Sequence, residues 1–183
     1  MAEEPGNRAH QLDAQHIVEP AQFAALAHPL RQRLLFALGH RPSTISRLAV
    51  QLEAAKGSVA HHLKVLRDAG LVQVAETRQV RGGTEVYYRR SARRLIVPDP
   101  RPEGTAAMLT AVAQELGRSP DETALSLRHL RLRPEAAREL AETLTRLVDE
   151  AQDDEGEQDG PEPPSYGVLV TVYQLAGEQA QPD

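Results

Sequence analysis

The chain has 183 residues, 40 % of them hydrophobic and only 3 % aromatic, and it contains no cysteine. That length suits one or two small domains with a core of Leu, Val and Ala, and the missing thiols exclude disulfides, thiolate metal sites and thiol catalysis. The net charge of -5 hides a segregation: residues 20–98 carry 13 Lys+Arg and four acids (Glu53, Asp68, Glu76, Glu85), a net +9, whereas residues from 103 onward carry six Arg and 17 acids, a net −11.

The opening "MAEEPGNRAH" is acidic and lacks an apolar centre, so it is not expected to be a signal peptide. No run reaches the ~18 apolar residues of a membrane span, and a soluble, cytoplasmic protein is expected. Residues 1–18 read as a polar tail. Glu19 and Pro20 open a helix that runs to Ala27. A second begins at Pro29 and buries Leu30, Leu34, Leu35 and Leu38 before stopping at Gly39. In the third, Ser43 is the expected N-cap and Ile45, Leu48, Ala49 and Leu52 share one face. The stretch "AKGSVAHHLKVLRDAGL" forms the fourth and ends at Ala69-Gly70. The period then changes to alternation through Leu71–Val74, breaks at Arg81-Gly82-Gly83-Thr84 and resumes with Val86, Tyr87 and Tyr88, which predicts a β-hairpin with a basic, glycine-rich tip.

"VPDPRPEG" marks a proline-rich boundary. Beyond it, residues 104–117 predict a helix with Met108, Leu109, Val112 and Leu116 on its apolar edge, and "ALSLRHLRL" alternates as a strand over 125–132. Pro134 opens a long helix whose Ala137, Leu140, Leu144, Leu147 and Val148 face inward. "DDEGEQDGPEPP" has six acids and no base, the composition of a solvated linker. "SYGVLVTVYQL" predicts a strand at 166–175.

Within the fourth helix each residue advances roughly 100°. Val59, Leu63 and Leu66 then form the buried stripe, with His62 on its flank. His61 falls on the opposite side, near Gly57, Ala60, Lys64 and Asp68. Adjacent histidines cannot both serve one metal from a regular helix, because ligand pairs need i,i+3 or i,i+4 spacing. His62 is thus expected at the core margin and His61 on an outward surface fit for a polyanion. Charge alone leaves open whether the basic half meets a polyanion or merely solubilises a helical surface.

"ALAHPLRQRLLFAL", "ISRLAVQLEAAKGSVAHHLKVLRDAGLV" and "RGGTEVYYR" together resemble the arsenic-repressor (ArsR/SmtB-like) family of winged helix-turn-helix transcriptional regulators, over residues 19–92. The resemblance implies a homodimer on double-stranded DNA, with residues 44–52 as supporting helix, residues 56–69 as recognition helix in the major groove, and the hairpin as a wing along the backbone. The residues it nominates for DNA are Lys56, Gly57, Ser58, Ala60, His61 and Lys64 on the helix, and Arg78, Arg81, Gly82 and Thr84 on the wing. Small residues at a helix start allow close approach to phosphates and base edges, while Lys56, Lys64 and Arg81 supply charge.

The sequence departs from the family's metal sensors. The positions of their cysteine pair are Thr44 and Ser46, and the long helix from Pro134 has no histidine for a C-terminal metal site. His10, Asp13 and His16 are poorly spaced as an alternative. No metal and no cofactor is expected, which leaves room for a small-molecule effector of another kind. Ala55 and Ala60 stand where the family often has serine, weakening the N-cap by ~1 kcal/mol and removing a hydroxyl that could touch phosphate. No nucleophile elbow, P-loop or zinc-protease motif is present, and no catalytic residue is nominated.

The fold class expected is mainly α with small β. Residues 1–18 are a tail, 19–97 a winged helix-turn-helix domain, 98–152 a helical and strand extension for dimerisation, 153–165 an acidic linker, and 166–183 a strand and tail. The function expected is a dimeric, sequence-specific DNA-binding regulator, a repressor rather than an activator. An architectural DNA binder of low specificity and a winged-helix protein-interaction module are the alternatives.

Overall fold

The computed structural model describes residues 12–39, 41–97, 100–120, 125–151 and 166–175. It divides into two compact units, residues 1–124 and 125–183. Proline punctuates the helices of the first unit. Pro20 occupies the first turn of α1 (Pro20–Leu26) and Pro29 that of α2 (Pro29–Ala37), where a missing N–H costs nothing and the fixed φ suits the helix. His28 caps α2, its Nδ1 accepting the Leu30 N–H at 3.1 Å.

The short strand β2 (Ser43–Thr44) leads into α3 (Ile45–Gln51). Thr44, not Ser43, is the N-cap, because its Oγ1 accepts the Arg47 N–H at 3.3 Å. Arg33, largely buried, donates from Nη2 to the Leu52 carbonyl at 3.2 Å, satisfying an acceptor at the end of α3 that the helix leaves unpaired. Glu53 follows with φ 52, a left-handed turn residue that redirects the chain into α4 (Lys56–Asp68). Gly70 (φ 70) stops α4.

The hairpin is longer than alternation suggested: β3 (Val72–Val80) and β4 (Gly83–Arg90) pair up to a two-residue tip, with a register shift between Val74 and Glu76. β2 adds to the other edge of β4, Thr44 opposite Tyr87, so the order is β2-β4-β3. One core unites Ile17, Leu34, Leu35, Leu38, Leu48, Val59, Leu63, Leu66, Leu71 and Val72. Each such side chain contributes about 1.5–3 kcal/mol on burial.

Several expectations need correction. Residues 12–16 are not tail: β1 (Leu12–His16) pairs in parallel with β5 (Ala92–Ile96), Leu12 opposite Ala92 and His16 opposite Ile96, and Ile17 is 1 % exposed. The pairing joins segments some eighty residues apart, which local pattern cannot reveal. The boundary expected at 97/98 is also displaced, since α5 (Pro102–Leu116) packs on α1 and α2 within the first unit. Its buried contacts are Ala107 and Ala111, whereas Leu109 and Leu116 face out. Small side chains let the helix axes approach closely, which the larger leucines would prevent.

In the second unit α6 (Pro134–Glu150) starts at the expected proline. Ala137, Leu140 and Leu144 are half-buried, but Leu147 and Val148 are exposed. Residues 125–133 and 166–175 lie outside any helix or strand, so neither is the strand expected. Their apolar side chains stay open, Leu125 at 83 % and Tyr166 at 75 %; a strand exists only through its neighbour, and among the described residues these two have no ladder. The expected linker, 153–165, lies outside the described residues. No helix among the described residues is long and apolar enough to cross a membrane.

Candidate nucleic-acid interface

The fourth helix turns its sides as its periodicity dictates. Val59, Leu63 and Leu66 are buried, and Lys56, Gly57, His61, Lys64, Arg67 and Asp68 are exposed along one broad arc. Ser58 is half-buried at one margin of that arc, and Ala60, also half-buried, lies within it between Arg67 and Lys64. Ala55 precedes the helix with no side-chain cap, and no acid occupies the first turn, so the helix supplies no carboxylate of its own to its N–H dipoles. A Cβ added to Gly57 would meet nothing within 4 Å; the protein itself does not require glycine there.

The histidines diverge. His61 is exposed, while His62 is partly buried, with ring centroids of His28 and His62 4.3 Å apart. Arg31 Nη1 lies 3.5 Å from His62 Nδ1, and Arg31 itself is held by donating to the carbonyls of Ala25 (2.5 Å) and Ala24 (2.8 Å). Burial, then the neighbouring His28, Arg31 and His61, pull the His62 pKa down to about 4. His62 is therefore a neutral ring packed between α4 and the His28–Arg31 start of α2. Among the described residues no group of three or more His, Asp or Glu could hold a metal ion; His10, of the alternative cluster, lies outside them.

Lys64 forms an i,i+4 ion pair with Asp68 at 2.6 Å, both side chains more than half exposed. Such a pair is worth little in water and leaves Lys64 available to a stronger anion. On the wing, Arg81 and Gly82 form the tip, and Gly82 takes φ 112, a conformation other residues adopt only under strain. Thr84 Oγ1 donates to Gln79 Oε1 at 3.2 Å across the hairpin. Arg78 is differently placed: its Nη2 donates to Glu76 at 2.6 Å and its guanidinium lies 4.6 Å from the Tyr87 ring centroid. The Tyr87 hydroxyl in turn donates to Glu85 at 3.0 Å, and Arg47 of α3 stands 6.0 Å from the same ring.

Tyr87 thus ties the wing to the supporting helix. The i,i+2 spacing of Glu76 and Arg78 places both on one strand face and carried that signal unread. Arg67 and Arg47 are exposed cations that sequence reasoning also passed over. Arg67 follows Lys64 by three residues, hence on the same helical side.

Parts of the chain are similar to known proteins. Residues 28–74 match the family model described as bacterial regulatory protein, arsR family. A transcriptional repressor SmtB homolog from Synechocystis is 36 % identical over 66 residues, covering 36 % of this chain and 46 % of that one. The HTH-type transcriptional regulator MJ0229 from Methanocaldococcus jannaschii is 41 % identical over 49 residues, 27 % of this chain and 52 % of that one. The chain thus spans about half the length of each of these two relatives. The crystal structure of the transcriptional repressor BigR from Xylella fastidiosa overlaps 55 % of this chain and 84 % of its own at 21 % identity, with a TM-score of 0.32. Two helices joined by the Glu53 turn lie within residues 28–74, the segment similar to the arsR family, and with β3 and β4 they have the arrangement of a winged helix-turn-helix.

Proposed function

We propose that the protein is a homodimeric, sequence-specific DNA-binding transcriptional regulator of the cytoplasm, and a repressor. α4 enters the major groove with Lys56, Gly57, His61 and Lys64 foremost, and the wing tip at Arg81-Gly82 follows the backbone. The observation that carries this reading is the acid-poor, exposed arc of α4 backed by a fully apolar stripe: a rigid helix presenting charge and small residues outward. Ser58 contributes at its margin and Ala60 between Arg67 and Lys64, and Thr84 stiffens the tip. Arg78, engaged by Glu76 and Tyr87, chiefly positions the wing. The repressor sign is taken from the description of the cyanobacterial relative.

Dimerisation rests on apolar surface that a lone chain leaves wet. On α5, Leu109 and Leu116 are 46 % and 39 % exposed and lie on the side away from Ala107 and Ala111. In the second unit, the open leucines, valines and tyrosines of 125–132 and 166–175 call for cover of the same kind. A second copy supplies it symmetrically.

A fluorescence-anisotropy titration on the duplex upstream of the protein's own gene tests the assignment. Lys64→Ala/Arg81→Ala is expected to weaken binding by about tenfold or more while sedimentation shows an unchanged dimer. Unchanged affinity refutes the assigned face. A steep salt slope with equal affinity for scrambled DNA points instead to an architectural binder.

A further inference from the structure

A cavity of about 610 Å³ opens in the first unit between α1, α2, the start of α5 and the strands β4 and β5. Its wall is apolar: Phe23, Leu35, Phe36, Leu95 and Met108. Its polar side is cationic, since Arg90, Arg93, Arg94 and Arg101 all line it and Glu103 is the sole carboxylate among the described lining residues. The volume is that of small-molecule sites, which bury 300–1,000 Å³ of ligand space behind mostly apolar walls with a few polar groups.

The arginines show how the site is built. Arg101 lies with its guanidinium carbon 4.2 Å from the Phe23 ring centroid, so cation and aromatic floor are already joined at the mouth. Arg90, at the end of β4, has a buried Nε with no hydrogen-bond partner. A buried donor left unmet costs about 1–3 kcal/mol, and a ligand oxygen could satisfy it. Burial also holds the Arg90 pKa below its ordinary value, as expected of a charge short of a counter-ion.

We infer that this cavity binds a small amphipathic carboxylic acid, its hydrocarbon part against Phe23, Leu35 and Met108 and its carboxylate among Arg90, Arg93 and Arg101. The site is separate from the DNA-binding face, and the inference stands without it. A bound acid would nonetheless bridge α1, α2 and α5 to the strand that carries the wing.

Isothermal titration of the full chain with decanoate, decan-1-ol and acetate tests the assignment. Decanoate is expected to bind saturably, one per chain. Decanol, with the same tail and no charge, is expected to bind about tenfold more weakly or worse, and acetate not measurably. Arg93→Gln/Arg101→Gln, both at exposed positions, should weaken decanoate about tenfold and leave decanol unchanged. Arg90→Gln should deepen the loss; if it unfolds, the exposed pair still decides. Absence of saturable decanoate binding overturns the inference, including the case where another part of the chain or a second copy fills the cavity. So does equal affinity for decanol, or decanoate affinity unchanged in the double variant.

Discussion

Acidification is expected to weaken the seating of α4 through His62. Above pH 7 the imidazole is neutral whether the chain is folded or not, and it adds no pH dependence. As pH falls through 6.5, the unfolded ring gains a proton that the folded ring, with its pKa near 4, refuses. Stability is therefore full above pH 6.5, declines between 6.5 and 4, and levels off below. At pH 5 the two values correspond to about 2 kcal/mol lost. Solvent reaches part of the ring and screens its neighbours, so about 1 kcal/mol is the expected loss. His28 is likewise lowered, by burial and then by Arg31 and His61. Urea denaturation followed by circular dichroism at pH 7.5, 6.5, 5.5 and 5.0 measures the effect, with His62→Gln as reference. The wild-type midpoint should fall by about 0.5 M urea relative to the variant between pH 7.5 and 5.0, for a slope near 2 kcal/mol/M. Parallel profiles for the two proteins would refute the account of His62 as a ring kept neutral by its surroundings.

Other perturbations separate packing from recognition. Gly57→Ala should stabilise the chain by about 0.5–1 kcal/mol, because the site is helical and open, yet weaken DNA binding if the backbone there approaches the duplex. Thermal melts and anisotropy together read both signs. Leu63→Ala, in the core, should cost about 2–5 kcal/mol in urea denaturation. Arg78→Ala should weaken DNA binding less than Arg81→Ala, since Arg78 is occupied by Glu76 and Tyr87. Leu109→Glu/Leu116→Glu should yield folded monomers by sedimentation, because both side chains are exposed in the single chain.

What a sequence makes legible depends on how far apart the deciding groups lie. Pro20, Pro29 and Pro134 start three helices by local sterics, whereas Pro102, read as part of a boundary with the helix beginning at Gly104, in fact opens α5; the stripe of Val59, Leu63 and Leu66 orients α4 without help from elsewhere. The divergence of His61 and His62 follows from the same periodicity. The parallel pairing of Leu12–His16 with Ala92–Ile96 has no local signature, so the first of these segments passes for a tail. On α5 the leucines draw the eye, yet the alanines face α1 and α2, because the approach of neighbouring helices selects small residues. At the candidate interface, the exposure of His61 and Lys64 follows from helical periodicity, but the fate of Arg78 does not, because it depends on an aromatic ring one strand away.

The β1–β5 pair carries a practical lesson. Trimming the first 18 residues as dispensable would strip the zipper from Ala92–Ile96, bare a sticky edge beside the arginine-lined hollow, and remove the Ile17 plug from beneath α1. Such a shortened protein would aggregate or lose its hollow while keeping every residue of α4, a failure easily misread as a defect in the proposed recognition.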